Sequence, residues 1–154
     1  MEIKIRKATS NDLNIIKEFQ NQLVEYERPF DSTIPKQGLV EYYNLQLLIE
    51  SEKVNFLVVE VNEKIIGCGF GEIRSDIEWS SNSLIGYIGL FFIEKEFRNK
   101  GISGLIFKEL IKWFKENNIK DIRLKVYSEN EKAVNAYKKY GFKGHMLEMR
   151  YEIE

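Results

Sequence analysis

The sequence predicts an α/β (α+β) fold in which helices flank a mixed β-sheet. Three observations support this prediction: strand-like and helix-like hydrophobic patterns alternate along the chain, one long apolar run marks a central strand, and no repeat or linker interrupts the order. The predicted order of elements is β-α-α-β-β-β-α-β-α-β. A chain of 154 residues, 44% of them hydrophobic, can bury one sizeable core but has no room for a second full domain. We therefore predict a single domain over residues 1–154.

The N-terminal part of the chain predicts one strand and two helices. Residues 2–8 alternate apolar and charged side chains, which is typical of a half-buried strand. A capping-box pattern that begins at Thr9 predicts a helix that ends shortly before Pro29. The helical spacing of apolar residues within 39–48 predicts the second helix.

Three strands are predicted in the middle of the chain. Residues 54–61 and 64–74 have the pattern of a hairpin around a short turn. Residues 84–93 (LIGYIGLFFI) form the most continuously apolar run, so we expect a central strand covered on both faces. Alternate glycines in the second strand of the hairpin predict a bulge or a bare sheet face; they are Gly67, Gly69 and Gly71.

The C-terminal part predicts two more helices and two more strands. An amphipathic helix begins at Gly101 and ends at Asn117. A strand over 121–127 and a helix over 129–140 follow. A last strand is predicted over 146–153, where apolar and charged residues alternate again.

Composition excludes several classes of function. The 23 basic and 24 acidic residues nearly cancel, which argues against a nucleic-acid or membrane-surface partner held by a basic field. Cys68 is the only cysteine and His145 the only histidine, so an intramolecular disulfide and a His-pair zinc motif are excluded. The chain begins with an alternating pattern and no long apolar run, so we expect a cytoplasmic protein. Because the chain has one cysteine and one histidine, we expect no metal.

The most informative segment is residues 91–104 (FFIEKEFRNKGISG), where a buried strand leads through a charged turn into a helix. Helix N-termini present free N–H groups and partial positive charge, which suits a phosphate or pyrophosphate. Gly101 and Gly104 allow close approach, and Arg98 and Lys100 add charge. Alternatively, the glycines only ease the strand-to-helix turn. The residues do not follow the order of a P-loop or a dinucleotide fingerprint.

A second motif lies downstream: residues 130–142 read N-x-x-A-x-x-x-Y-x-x-x-G-F. This motif, preceded by Arg98-x-x-Gly101 at the start of a helix, resembles the GNAT (Gcn5-related) N-acetyltransferase superfamily. The two motifs span residues 91–142, and the order of elements extends the resemblance to nearly the whole chain.

The resemblance implies a GNAT-like fold with a mostly antiparallel sheet, and acetyl-CoA as co-substrate. The central strand would pair with the pantetheine arm, and the turn after it would wrap the pyrophosphate. The implied contacts are Phe91, Phe92 and Ile93 for the arm, and Arg98, Asn99, Lys100, Gly101, Ile102, Ser103 and Gly104 for the pyrophosphate. Ser103 departs from the family pattern of glycine or alanine, but serine is small and can donate a hydrogen bond to phosphate.

The resemblance also assigns roles to two residues of the second motif. Asn130 would contact the cofactor arm, and it also suits the N-cap of the following helix. Tyr137 would contact the cofactor and act as the general acid that protonates the departing thiolate. The implied reaction is direct attack of a neutral amine on the acetyl thioester.

The general base does not carry over from the family. Positions where some members have a catalytic glutamate hold Tyr87 and Lys125. Glu72, together with Tyr87, is the substitute that we predict. Two alternatives stay open: Glu72 lies on a solvated outer face, or a chain of water molecules removes the proton without any residue.

In this family the acceptor is selected by the first two helices and the loop between them. Carboxylates beside aromatic rings suit a cationic primary amine of a small molecule or peptide. The residues in this region are Tyr26, Glu27, Arg28, Phe30, Asp31, Tyr42 and Tyr43. We expect a monomer or homodimer. The competing hypothesis is a non-catalytic acyl-CoA-binding sensor or interaction module on the same fold.

Overall fold

A five-stranded sheet in the order β1-β2-β3-β4-β5 forms the centre of the computed structural model, which describes residues 1–154. The strands are β1 (Ile3–Lys7), β2 (Val54–Val61), β3 (Lys64–Ser75), β4 (Leu84–Ile93) and β5 (Ile122–Arg123). The helices are α1 (Leu13–Glu27), α2 (Leu45–Glu50), α3 (Ile102–Glu116) and α4 (Glu131–Lys139). Strands β1 to β4 are antiparallel and β5 is parallel to β4, so the predicted mixed, mostly antiparallel sheet is confirmed.

The sheet separates two hydrophobic clusters. Helix α3 packs on one face, where Ile106, Leu110 and Phe114 are completely buried. Helices α1 and α2 pack on the other face, where Phe19 stacks on Phe92 with ring centroids 5.0 Å apart. Full burial of each such side chain contributes about 1.5–3 kcal/mol to stability. Because both faces of β4 are covered, its long apolar run is explained.

Helix α1 begins and ends where the sequence predicts. The Thr9 backbone N–H donates to the Asp12 carboxylate at 2.8 Å, and a single 3₁₀ turn leads from there into the helix. A second 3₁₀ turn, Arg28–Phe30, contains Pro29 and ends the helical path. None of the four helices combines the length and the hydropathy needed to cross a membrane.

The β2–β3 hairpin turns through Asn62 and Glu63, whose φ angles of 48° and 66° are those of a two-residue turn that matches the sheet twist. The bare sheet face predicted from the glycines is present. A Cβ added to Gly71 would lie 2.7 Å from the ring of Phe114, and one added to Gly86 would lie 2.6 Å from it. These glycines let α3 approach the sheet closely.

A β-bulge interrupts β4 near its end. Cys68 pairs with Phe92 and Phe70 pairs with Gly89, so two residues of β4 face one residue of β3. Leu90, in the bulge, has a φ of 41°, a left-handed conformation that is strained for leucine. Bulges of this kind bend a strand and redirect its backbone groups next to functional sites. Cys68 is completely buried beside it.

Two predicted elements are shorter than expected. The second helix covers only Leu45–Glu50, because the Asn44 side chain accepts a hydrogen bond from the Leu47 N–H and caps the helix there. The strand predicted over 121–127 pairs with β4 only at Ile122 and Arg123, since the chain then turns away from the sheet. Both corrections affect the region of the candidate site.

The prediction of a last strand over residues 146–153 was wrong. This segment has the alternating pattern of a strand, but no neighbouring strand pairs with it. Its position is fixed instead by side chains: Arg150 pairs with Asp31 at 2.8 Å, and Ser32 donates to Glu152 at 2.9 Å. The alternation correctly indicates an extended chain, but pairing depends on a partner that the local pattern does not specify.

Candidate active site

The site begins where β4 and β5 separate. The two strands pair only at Gly86 with Ile122 and at Tyr87 with Arg123, and β4 then continues to Ile93 without a strand on that side. The backbone N–H and C=O groups along this edge are available to an extended ligand that adds itself like a strand. Phe91–Ile93, predicted to lie along the cofactor arm, form the end of this open edge.

The turn between β4 and α3 presents backbone donors. Arg98 Nε donates to the carbonyl oxygen of Ile93 at 2.8 Å, which fixes the turn against the strand end. Asn99 and Gly101 have φ angles of 60° and 76°, and no side chain caps the N-terminus of α3. The first-turn N–H groups of α3 therefore have no side-chain acceptor, as an anion site requires. Lys100 is exposed beside them.

Tyr140, which follows α4, contacts the predicted phosphate-binding residues in the first turn of α3. The hydroxyls of Ser103 and Tyr140 are 2.8 Å apart, and the Tyr140 ring stacks on Phe107 at 4.6 Å between centroids. A Cβ on Gly104 would lie 3.4 Å from the same ring. Ile102 is buried, so only its backbone is available to a ligand. Sequence reasoning gave Tyr140 no role, because its position in the motif carries no signal.

Helix α4 positions Asn130 and Tyr137 across from this turn. Asn130 Oδ1 accepts a hydrogen bond from the Ala133 N–H at 3.3 Å, which is the expected cap, while its Nδ2 donates to no protein group. The ring of Tyr137 lies 6.1 Å from Phe107 and 6.1 Å from Phe142 between centroids, and these two rings also contact each other at 5.4 Å. Its hydroxyl has no protein partner and is available to a ligand.

The electrostatic surroundings of Tyr137 keep its hydroxyl protonated. Burial raises the pKa of Tyr137 to about 12, and the negative charge of Glu27 adds to the effect, as do the neighbouring phenols of Tyr87 and Tyr140. A phenol that is neutral at pH 7 still holds the proton that a departing thiolate needs, although the raised pKa makes Tyr137 a weaker acid than an ordinary tyrosine.

Glu27 is the last residue of α1 and is half-buried. The hydroxyl of Tyr42 donates to Glu27 Oε2 at 2.9 Å. Burial raises the pKa of Glu27, the hydrogen bond from Tyr42 opposes this change, and the charge of Asp31 reinforces it.

The predicted base, Glu72, lies in an ion pair. Its Oε2 accepts a hydrogen bond from Arg74 Nε at 2.7 Å, and the guanidinium of Arg74 lies 3.8 Å from the centre of the Tyr87 ring. The hydroxyl of Tyr43 lies over β4 nearby: a Cβ built on Gly89 would be 2.8 Å from it. Glu72 and Tyr87 are therefore neighbours, as expected, with a cation held between them.

Asp31 links its own loop to two distant segments of the chain. It accepts hydrogen bonds from the Thr33 hydroxyl at 2.6 Å, the Tyr127 hydroxyl at 2.9 Å and Arg150 Nη1 at 2.8 Å. These donors hold the pKa of Asp31 well below its usual range. Sequence reasoning missed Tyr127 and Arg150, which are 96 and 119 positions away from Asp31 and carry no local signal.

The remaining predicted acceptor residues shape the loop after α1. Tyr26 is partly exposed and meets Phe30 edge to face at 5.7 Å. Arg28 donates to Glu25 at 3.0 Å and to the carbonyl oxygen of Gly38 at 3.1 Å. Its Nη1 is buried without a hydrogen-bond partner. Arg28 thus holds the loop, and one of its donors remains unused.

Comparison with known proteins identifies the family. A sequence profile of the acetyltransferase (GNAT) family matches residues 18–142. The chain belongs to this family. It is 28% identical over 141 residues to an uncharacterized N-acetyltransferase of Methanocaldococcus jannaschii. That match covers 90% of this chain and 59% of the relative, so the chain spans about three fifths of the relative's length.

Solved structures of other proteins share the fold. The tetramutant of the BH1408 protein from Bacillus halodurans superposes with a TM-score of 0.86 at 23% identity, covering 97% of this chain and 99% of that one. A predicted acetyltransferase from Clostridium acetobutylicum, solved with acetyl-CoA, gives a TM-score of 0.72 at 20% identity, covering 97% and 96%. The resemblance inferred from the two sequence motifs is confirmed.

Proposed function

We propose that residues 1–154 act as one acetyl-CoA-dependent N-acetyltransferase domain, which transfers an acetyl group directly to a primary amine of a small molecule or peptide. The observation that carries the proposal is the junction of β4 and α3. There the unpaired edge of β4 leads into a left-handed turn and an uncapped helix N-terminus. Membership of the GNAT family and the acetyl-CoA bound to the Clostridium acetobutylicum protein support it.

In this proposal the cofactor is held largely by backbone groups. The open edge of β4 binds the pantetheine arm, and the turn into α3 binds the pyrophosphate. Asn130 offers its free amide to the arm. The proposed contacts are Phe91, Phe92, Ile93, Arg98, Asn99, Lys100, Gly101, Ile102, Ser103, Gly104, Asn130 and Tyr137.

The chemistry needs one proton acceptor and one proton donor. An ordinary alkyl ammonium has a pKa near 10.4, so keeping it neutral at pH 7 costs about 4.6 kcal/mol. Tyr137 supplies the proton that the departing thiolate needs, because its hydroxyl is neutral and unpaired. Backbone N–H groups near Phe92 and Ile93 would stabilise negative charge on the carbonyl oxygen.

The sequence proposes Glu72 with Tyr87 as the proton acceptor, and this stays a prediction. Glu72 Oε2 already accepts a hydrogen bond from Arg74 Nε at 2.7 Å, so this oxygen is engaged before any acceptor binds. Tyr26, Glu27 and Arg28 are the proposed acceptor contacts. The proposed partners are an amine and acetyl-CoA, without metal, nucleic acid or membrane, for a cytoplasmic monomer or homodimer.

The ion pair at Glu72 is also the observation that favours the second candidate, a non-catalytic acyl-CoA-binding module. Two measurements on the purified protein separate the candidates: calorimetric titration with CoA, and release of CoA thiol from acetyl-CoA in the presence of a panel of primary amines. The enzyme predicts saturable binding and amine-dependent release. Binding without release on any amine favours the module, and no binding rejects both.

A further inference from the structure

We propose that Glu27 binds the ammonium group of the acceptor and takes its proton, and that Tyr42 positions the Glu27 carboxylate. The inference rests on the proposed function and deepens it at the acceptor side. It assigns the role of general base to the end of α1, where the family resemblance gives only acceptor selection.

The position of Glu27 supports this role. Its negative charge contributes to the raised pKa of four tyrosines that come from the loop after α1, the segment after β5 and helix α4. They are Tyr42, Tyr43, Tyr127 and Tyr137. The contacts place Glu27 near β4: Tyr42 donates to Glu27 and meets Tyr43 edge to face at 6.5 Å between centroids. The Tyr43 hydroxyl in turn lies over Gly89 of β4, 2.8 Å from where a Cβ would stand. The aromatic rings also favour a cation beside the carboxylate.

The hydrogen bonds of Glu27 leave it free for a ligand. Oε2 accepts from Tyr42 at 2.9 Å, whereas Oε1 accepts from no protein donor. Glu27 forms no salt bridge, unlike Glu72, which pairs with Arg74, and Asp31, which pairs with Arg150. A half-buried carboxylate has lost part of its hydration, and without a neighbouring cation no opposite charge compensates for that loss. An ammonium group of the acceptor would supply both the missing charge and the missing donor.

The charges around Glu27 also tune it as a base. Burial and the negative charge of Asp31 raise its pKa, while the donor hydroxyl of Tyr42 lowers it. A carboxylate with a raised pKa accepts a proton more readily than an exposed one, and it is still ionised when the pH exceeds that pKa. The Arg150 guanidinium donates to Asp31 and balances part of its negative charge, so it limits how far Asp31 raises the pKa of Glu27.

The proposed step balances as follows. One proton passes from the ammonium nitrogen to Glu27, and the freed lone pair forms the bond from nitrogen to the acetyl carbonyl carbon. The carbon–sulfur bond then breaks, its electron pair leaves on sulfur, and Tyr137 gives the sulfur a proton. The second proton leaves the nitrogen and restores Tyr137 through solvent, while Glu27 returns its proton to solvent.

The test compares Glu27→Gln with Glu72→Gln on amines of graded basicity at pH 7. For Glu27→Gln, we expect kcat/KM to fall at least about 100-fold with strongly basic amines. The loss should be less than about 10-fold with amines that are already neutral, because neither the cation nor its proton is then present. For Glu72→Gln, we expect any loss to be independent of amine basicity. Glu18→Gln, an exposed position of the same helix, is the matched control.

Tyr42→Phe gives a second, independent readout. Removing the donor that lowers the pKa of Glu27 should move the acid limb of the kcat/KM profile to higher pH. A purely structural role for Tyr42 would change the rate without moving the limb.

The outcomes separate the two proposals. Wild-type kcat/KM in Glu27→Gln with basic amines, or an equal loss for basic and neutral amines, overturns the role of Glu27 alone. If Glu27→Gln does not fold and so fails to bind CoA, Tyr42→Phe decides. An acid limb of the kcat/KM profile at the same pH as in wild type then overturns the role of Glu27 as general base. Wild-type protein that releases no thiol with any amine overturns the proposed function and this inference together.

Discussion

The two sides of the candidate site are built in different ways. The cofactor side comes mainly from one continuous stretch, residues 91–104, to which Asn130 and Tyr137 are added from α4 and its cap. The stretch offers mainly backbone groups in a conformation set by Asn99 and Gly101. The acceptor side comes from side chains of α1, the loop after it, the segment after β5 and the C-terminal segment. A backbone site depends on local conformation, whereas a side-chain site depends on the packing of distant segments.

This difference determines how each side responds to mutation. On the cofactor side, most side chains are replaceable, and the sensitive positions are those with left-handed backbone or close approach. On the acceptor side, single side chains carry charge, hydrogen bonds and proton transfer, so each one changes rate or acceptor preference. The following predictions test this contrast, beginning with the largest effect.

Gly101→Glu should abolish CoA binding. Gly101 has a φ of 76°, which costs a side-chain-bearing residue about 1–2 kcal/mol, and the new carboxylate would repel the pyrophosphate. We expect the affinity measured by calorimetric titration to fall at least about 100-fold. The matched control is Gly144→Glu, because Gly144 also has open space around it. Retained affinity in Gly101→Glu would refute the pyrophosphate assignment.

Tyr137→Phe should lower kcat by roughly 100-fold while CoA affinity changes little, since the substitution removes the proton donor and keeps the ring packed against Phe107 and Phe142. Steady-state kinetics and calorimetric titration measure the two effects separately. Tyr151→Phe, at a residue that is 91% exposed, controls for the loss of a hydroxyl. An unchanged kcat in Tyr137→Phe would make Tyr137 a packing residue only.

Asp31→Asn should have a smaller effect, confined to the acceptor side. The pKa of Asp31 is lowered in the folded state, so its stabilising contribution is present above the unfolded value of about 4 and is lost as the pH falls below it. We expect a Tm lower by a few degrees at pH 7, a flatter decline of Tm under acid, and a higher KM for the amine.

Asp76→Asn is the matched control for Asp31→Asn. Asp76 also has a lowered pKa and pairs with Arg123 at 2.9 Å, and neither residue hydrogen-bonds with Asp31 or Glu27. This variant should flatten the decline of Tm under acid without changing the KM for the amine. Equal KM values in wild type and Asp31→Asn would show that the Asp31 contacts do not shape the acceptor side.

Local patterns predicted most of the fold. The hairpin, the apolar strand β4 and the helix that follows Gly101 appear where expected, because periodicity and turn residues act within a few positions. The patterns failed where strand pairing depends on segments that are distant in the sequence. Residues 146–153 alternate like a strand, yet side-chain contacts hold them instead: Arg150 pairs with Asp31, and Ser32 donates to Glu152.

The same distinction applies to the site. The phosphate turn could be predicted because its residues are contiguous and have a recognisable order. The contacts of Asp31 with Tyr127 and Arg150 could not, since they join positions 96 and 119 residues apart. Glu27 was predicted only as an acceptor contact, because its lack of a cation partner and its burial are properties of the folded chain.

The most direct test of the account is the release of CoA thiol from acetyl-CoA by the wild-type protein with a panel of primary amines. Cys68 is completely buried and its thiol pKa is raised, so the protein itself should add no reactive thiol in its folded state. The account predicts saturable release that equals the amount of acetylated amine formed. Saturable CoA binding without release on any amine would contradict it.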